Sequence, residues 1–235
     1  MAAVGTQTAA LRTGAYYPPF FLKLYQHYVL GYTLPVLWGC DVQAILVPYF
    51  TEGFTANHLD CGVADGFFPC RALEKLGVTE GGCHLTLLDL NPSSLEAARN
   101  RLLSLAPNMD VRCVKADIKA SLPEELAGSS FTSISMFNLF HCVPGGVTKW
   151  QAISTYKGAL SDDGMLTGCT VLGKSYTTGP FAWLHMRFFN LLGPFSNWDD
   201  AREDVEKVLH QEFSEVETKL VGMVLLFRAR KPKRL

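Results

Sequence analysis

The sequence predicts an α/β domain built on a mainly parallel sheet, and three observations carry that reading. From Asn57 onward, short apolar runs alternate with amphipathic stretches of helical length. Gly- or Pro-marked turns separate them at the spacing of βαβ units. The chain then closes with two strand-like runs, FSEVETKLV and MVLLFRAR, with only Gly222 between them. No crossover helix fits in that gap, so these two runs pair antiparallel as a hairpin.

Each element follows in turn. Residues 1–56 precede the alternating frame and contain the aromatic stretch YYPPFFLKLYQHYVLGYTLPVLW, read as one or two helices broken near Gly31 and Pro35 and forming a helical lid. The domain proper is expected over 57–235. HLDC (58–61) reads as the end of a first strand, and Phe67 to Leu76 as a helix with Phe68, Leu73 and Leu76 on one side. CHLTLLD (83–89) is a second buried strand. Pro92 opens the next helix, where a missing backbone donor does no harm. VRCVKAD (111–117) and FTSISMF (131–137) supply the third and fourth strands. A helix from Thr148 to Leu160, a turn at SDDG and the strand MLTGCTV (165–171) come next. Residues 173–198 form an unusually long connection, read as a cap insertion, before the acidic helix WDDAREDVEKVLHQ.

Composition narrows the partners. The 235 residues are 48% hydrophobic but only 18% charged, against about 25% in a typical soluble domain. With a net charge of -1 there is no broad basic footprint for nucleic acid. The surplus of 15 Phe, 8 Tyr and 4 Trp points to an apolar pocket or a subunit contact, such as a homodimer. Seven scattered cysteines without a C-x-x-C pair read as reduced thiols, with no metal site implied. No run reaches the 18 apolar residues of a membrane span, and the N-terminus lacks a signal peptide's apolar core, so a cytoplasmic protein is expected. The basic end RARKPKRL reads as a solvated end after a strand.

The strongest local signal is Asp60-Cys61-Gly62-Val63-Ala64-Asp65-Gly66, where the first strand ends and a helix opens. Gly62 and Gly66 permit tight turning, Ala64 is nearly as small, and the helix N-terminus points free N–H groups into the crevice. The dinucleotide fingerprint needs glycines at 62, 64 and 67, but Ala64 and Phe67 stand there. A carboxylate at Asp60 sits badly beside a pyrophosphate and suits an ammonium-bearing ligand. Asp89, at the tip of the second strand with Leu90 after it, lies 27 residues beyond Gly62, where an acid accepts hydrogen bonds from both ribose hydroxyls. Asp117 ends the third strand and can accept from a purine amine, with Ile118 offering its backbone; the alternative for Asp117 is a helix N-cap.

Taken together, D-x-G-x-A-x-G (60–66), LLDLNPSSLEAA (87–98), VKADI (114–118) and NLFHCVPGG (138–146) resemble the class I S-adenosylmethionine-dependent methyltransferases, in particular the small-molecule enzymes of microbial secondary metabolism. The resemblance covers residues 57 to about 230 and implies a Rossmann-like sheet of seven strands with helices on both faces. It also implies S-adenosylmethionine as cofactor. Asp60, Gly62, Ala64 and Gly66 would hold its methionine part, Asp89 and Leu90 its ribose, and Asp117 and Ile118 its adenine. Asn138 would approach the sulfonium and carboxylate region.

The implied reaction is in-line methyl transfer to an apolar small molecule, where positioning does much of the work. A hydroxyl or carboxyl acceptor gains from a nearby base. His141 is the best-placed candidate, its alternative being to fix the loop after the fourth strand; His185 is the second. Tyr25 and Tyr32, with Tyr28 and Trp38, are candidates to cover the site. Tyr176, Trp183, Met186 and Phe189 are candidates to wall the acceptor pocket, against the alternative of plain core packing. Another class of activity also fits a methyltransferase-like fold: a rearrangement or cyclisation with bound S-adenosylmethionine and no transfer.

Overall fold

The structure, a computed structural model, describes residues 26–78 and 82–234. Seven strands form one sheet: β1 (Asn57–Cys61), β2 (His84–Asp89), β3 (Asp110–Lys115), β4 (Phe131–Phe137), β5 (Leu160–Val171), β6 (Phe213–Val221) and β7 (Val224–Pro232). Their order is β3-β2-β1-β4-β5-β7-β6. The first five pair in parallel, and β7 runs antiparallel to both β5 and β6. Strand order reverses between β1 and β4, so a crevice opens at their carboxyl ends.

Helices cover both faces. One apolar cluster joins Phe50, Phe68, Leu73, Leu87, Leu102, Met186 and Leu226. The other joins Leu59, Ile134, Trp150, Ile153, Leu209 and Phe227 across the opposite face. Alternation along β1 divides its residues between them, so Leu59 and Cys61 enter the second cluster while His58 and Asp60 point the other way. The helices are α1 (Val47–Glu52), α2 (Phe67–Leu76), α3 (Pro92–Leu105), α4 (Gln151–Lys157), α5 (Pro180–Leu192) and α6 (Arg202–Glu212). Asn91 caps α3 by accepting the Ser93 amide at 3.0 Å, with Pro92 in the first turn as its chemistry favours.

Three local expectations need correction. The described N-terminal segment winds through Gly31 and Pro35 as a π-helix, Gln26–Leu37, and breaks instead at 38–41. Its wide turn, seen in the Trp38 amide donating to the Thr33 carbonyl at 2.9 Å, accommodates a proline that an α-helix would not. A second π-helical turn, Val42–Leu46, then leads into α1 at about a right angle to the first segment, 93°. SDDG is not a turn between helix and strand: β5 already pairs at Leu160 with Phe131, and the register slips before Ser133 meets Met165. The extra β5 residues bulge out there without ending the strand. The third strand stops at Lys115, two residues short of Asp117.

Leu34, Trp38, Leu46, Val47 and Phe50 are fully buried in the same cluster as β2, α2 and α3. The basic end is not solvated free chain. Arg228 stacks over Tyr49 and pairs with Glu52, Lys231 pairs with Glu215, and Arg234 pairs with Asp162. No single helix among the described residues is long and apolar enough to cross a membrane.

Candidate functional site

The loop after β1 makes three left-handed turns, at Gly62 (φ +75°), Ala64 (φ +51°) and Gly66 (φ +74°). Gly62 donates its amide to the Leu88 carbonyl at 2.7 Å, which folds the loop back over β2. A Cβ at Gly62 would stand 2.7 Å from a methyl of Leu139, and one at Gly66 would stand 2.9 Å from the Ala98 backbone of α3. Close approach, together with positive φ, therefore requires glycine at both places. Ala64 accepts the same region with a side chain, at a local cost of about 1–2 kcal/mol. Its amide donates to Asp89 Oδ2 at 3.2 Å. Asp89 Oδ1 also accepts the Asn91 amide at 2.9 Å. Burial nevertheless lifts the Asp89 carboxyl to about 6, against those amide bonds that pull it down.

Asp60 is buried at the carboxyl end of β1, beside Ser135 on β4. It lines a pocket with Gly62, Ala64, Asp65, Phe67, Phe68 and Phe137. Burial pushes its carboxyl up to about 7; a hydrogen bond from Ser135 lowers it and the Asp89 charge raises it further. Asn138 follows β4 with φ +51°. Its backbone amide donates to the Cys169 carbonyl at 2.9 Å and its Oδ1 accepts the Cys169 thiol at 3.4 Å. The buried Nδ2 has no partner among the described residues. Asp117 does not cap a helix. Its Oδ1 accepts the Lys119 amide at 2.9 Å in a tight turn, and Ile118 sends its side chain into the core. The Ala116 amide donates to the Asp89 carbonyl at 3.2 Å, which sets this turn beside the Asp89 strand end.

His141 lies in a single 3-10 turn, Phe140–Cys142, and is buried. Its ring packs edge-on against Phe195 with centroids 4.5 Å apart, and its Nδ1 has no partner among the described residues. Burial, and then the Lys149 charge, depress its pKa to about 3, so the ring is neutral. From Phe195 an aromatic series continues to Phe189 (5.1 Å), which also meets Trp38 (6.3 Å) and Tyr28 (6.4 Å). Tyr32 stacks on Tyr28 at its exposed end. Met186 is fully buried on the inner side of α5, and His185 is tied by Nδ1 to the Phe181 carbonyl of its own helix at 2.9 Å. Trp183 and Tyr176 are not part of this series. Trp183 meets Trp198, while Tyr176 accepts the Arg202 amide at 3.1 Å and donates to Glu203 at 3.2 Å on α6. Tyr25 lies outside the described residues.

The family described as "Methyltransferase domain" matches residues 59–166. An O-methyltransferase, NEC2, of Pyricularia oryzae is 46% identical over 93% of this chain and 92% of its own length. The chain belongs to the class I S-adenosylmethionine-dependent methyltransferases. A physcion biosynthesis cluster O-methyltransferase of Aspergillus chevalieri is 36% identical, covering 93% of this chain and 95% of that protein. Among solved structures, the fold matches the N-methyltransferase NodS from Bradyrhizobium japonicum in complex with S-adenosyl-L-homocysteine, at a TM-score of 0.56 and 17% identity over 81% of this chain and 85% of that one.

The chemistry of the donor set fits the cofactor of this methyltransferase. A buried carboxyl with no cation beside it among the described residues, Asp60, matches an ammonium group, and an orphaned amide nitrogen, Asn138 Nδ2, matches a carboxylate. Sequence reasoning missed several residues of the methyltransferase site region. His58 uses both ring nitrogens to bond Ser133 and Ser135 on β4. The available signal was polar alternation, with His58 and Asp60 on one strand facing Ser133 and Ser135 on another otherwise apolar one. Lys149 is also fully buried, donating to Asp200 at 2.5 Å and to the Ser196 carbonyl at 3.0 Å. Ser196 in turn gives its amide to the His141 carbonyl at 2.7 Å. The methyltransferase thus clamps the loop carrying Phe195 onto the turn carrying His141.

Proposed function

We propose that this methyltransferase transfers the methyl group of S-adenosylmethionine to a hydroxyl oxygen of an apolar, ring-bearing small molecule. The observation that carries this reading is the aromatic series Tyr28, Trp38, Phe189 and Phe195, which ends on a neutral His141 with a free Nδ1. The partly exposed rings of Tyr28, Phe189 and Phe195 supply apolar contact and stacking for a flat acceptor, with Trp38 buried against Phe189 and Phe195. The unpaired edge of the imidazole supplies the directional contact. Both fungal relatives described above are named as O-methyltransferases, which supports oxygen as the acceptor atom.

In this reading Asp60 holds the cofactor's ammonium group, and the backbone at Gly62, Ala64 and Gly66 surrounds its methionine part. Asn138 Nδ2 meets the carboxylate end. Asp89, with the Leu90 backbone, holds the ribose, and Asp117 and Ile118 hold the adenine. Bound S-adenosylmethionine supplies an electrophilic methyl group on a sulfonium sulfur. The remaining contribution of the protein is orientation and exclusion of water. His141 accepts the acceptor hydroxyl's hydrogen bond at a neutral ring nitrogen and so aims an oxygen lone pair at the methyl carbon. With a conjugate acid near 3 it orients the hydroxyl rather than storing its proton, which is released to bulk water as the ether forms. Met186 and the aromatic rings keep water from the reacting atoms.

The test is incubation with methyl-labelled S-adenosylmethionine and paired apolar acceptors that differ only in bearing a phenol, an aniline or a bare ring carbon. Label recovered as a methyl ether is expected. Label on nitrogen or carbon overturns the choice of oxygen.

A further inference from the structure

A continuous hydrogen-bonded chain runs along β1 and β4, from solvent at their amino ends to the Asp60 carboxyl at the other. Thr132 is exposed, and its Oγ1 lies 2.6 Å from Thr55 Oγ1. Thr55 Oγ1 lies 2.7 Å from Ser133 Oγ, and Ser133 Oγ lies 2.6 Å from His58 Nδ1. On the other side of the ring, His58 Nε2 is 2.9 Å from Ser135 Oγ, which donates to Asp60 Oδ1 at 2.5 Å. The parallel register makes the chain possible, because His58 stands opposite Ser133 and Asp60 opposite Ser135. Every member carries both a donor and an acceptor, so the whole series can point either way.

The surroundings of His58 restrict it to passing a proton on. Its ring is fully buried between Phe50 (5.6 Å) and Phe54 (4.7 Å), and burial depresses its pKa to about 3. An imidazolium is therefore excluded at neutral pH, and the ring has two neutral tautomers available. The titratable groups around the Asp60 end are Asp89 from β2 and Asp65, which lines the same pocket and pairs with Arg101 at 3.2 Å; Cys61 points to the opposite face, and α1 and α2 present the rings of Phe50 and Phe68 to this region. Burial holds Asp60 up at about 7 in the absence of a cation, so below that pH the carboxyl keeps its proton.

We propose that Ser135, His58, Ser133, Thr55 and Thr132 form a proton relay that lets Asp60 ionise as the cofactor's ammonium group arrives. This rests on the assignment of Asp60 to that ammonium. The Asp60 proton passes to Ser135, the Ser135 proton to His58 Nε2, and the His58 Nδ1 proton to Ser133. Ser133 passes its own proton to Thr55, and Thr55 releases one through Thr132 to water. Each hydroxyl ends with the proton count it started with. His58 changes from the Nδ1–H to the Nε2–H tautomer, Asp60 becomes a carboxylate and one proton reaches bulk water. His58 touches neither cofactor nor acceptor and acts as a positioning residue.

The experiment uses the full chain with S-adenosylhomocysteine as probe, since it carries the ammonium and transfers nothing. Nitrogen-15 histidine spectra at pH 6 should show His58 moving from Nδ1–H to Nε2–H on binding while remaining neutral. Calorimetry in two buffers of different protonation heat should show close to one proton released at pH 6 and far less at pH 8. Binding without a tautomer change overturns the relay. In Ser135→Ala the probe should still bind while the His58 tautomer no longer responds, and a response that persists there also overturns it. Asp60→Asn separates the two readings: unchanged affinity for the probe defeats the ammonium assignment itself, whereas weakened binding beside an unresponsive wild-type His58 defeats the relay alone.

Discussion

Asp89 Oδ2 accepts the Ala64 amide at 3.2 Å, so the acid at the end of β2 holds the loop that follows β1. In the proposed function the same carboxylate would serve two adjacent parts of one ligand, gripping the loop around one and offering its remaining acceptor capacity to the ribose. Asp89→Ala removes both functions and should weaken S-adenosylhomocysteine binding by about 1–3 kcal/mol, or roughly 5- to 150-fold in Kd. Asp89→Asn keeps an acceptor oxygen for the loop and should lose less. Titration calorimetry decides, and an unchanged Kd in Asp89→Ala removes the ribose assignment.

Ala64 occupies φ +51°, a conformation that glycine adopts without a Cβ penalty. Ala64→Gly relieves the left-handed strain but adds freedom to the unfolded chain, so the net gain should stay below about 1 kcal/mol with cofactor affinity retained. Ala64→Val places a β-branched side chain in the same conformation and should lower both the melting temperature and the affinity. Thermal melts with and without S-adenosylhomocysteine measure both effects.

The contrast between Ala64 and His58 shows what was legible in the sequence. The loop D-x-G-x-A-x-G is a local feature, since its turns, its glycines and its helix N-terminus lie within seven residues. The hairpin was legible for the same reason, with β6 and β7 joined across Gly222 and Met223. His58 meets Ser133 and Ser135 across 75 and 77 positions of chain, and only the register of β1 on β4 brings them together. Lys149 and Asp200, 51 residues apart, depend in the same way on how α6 and its approach pack over the sheet. The π-helix around Pro35 was missed because proline signals a break only for a helix with i→i+4 bonds.

The Lys149–Asp200 pair is buried on both sides, at 0% and 5% side-chain exposure. Lys149→Met leaves the Asp200 carboxylate without its cation and should cost about 3–5 kcal/mol. Lys149→Met with Asp200→Leu removes both charges and should recover much of that loss. If the cationic clamp on Ser196 matters to the acceptor side, the double variant will still show a raised KM for acceptor and an unchanged Kd for S-adenosylhomocysteine. Chemical denaturation and steady-state kinetics separate the two effects.

His141 makes opposite contributions to activity and to acid stability. Its folded pKa of about 3 lies below the ordinary value of 6.5, so between those limits the unfolded chain binds more protons. The stability it contributes is complete above about 6.5 and is lost as pH falls toward 3. His141→Phe removes that liability and should gain on the wild type as pH drops from 7 to 5. In the proposed function the same variant would lose the orienting nitrogen, so kcat should fall about tenfold while cofactor affinity holds. A variant that matches wild-type kcat would show that shape alone orients the acceptor.

Asp60 works in the other direction. Its folded pKa of about 7 exceeds the ordinary 3.8, so the native state binds more protons between those values. Stability of the cofactor-free protein should therefore decline as pH rises from about 4 to about 7, by up to about 1.4 kcal/mol per pH unit for this group. Asp89 and Asp200, each raised to about 6, add declines of the same sign at the lower end of that window. Asp60→Asn removes only the Asp60 part, so its melting temperature should overtake that of the wild type by a margin that widens up to pH 7. Saturating S-adenosylhomocysteine supplies the missing ammonium and should close that margin by flattening the wild-type profile while leaving the variant's slope as it was. A wild-type slope that the ligand does not change would mean that the ammonium lies elsewhere.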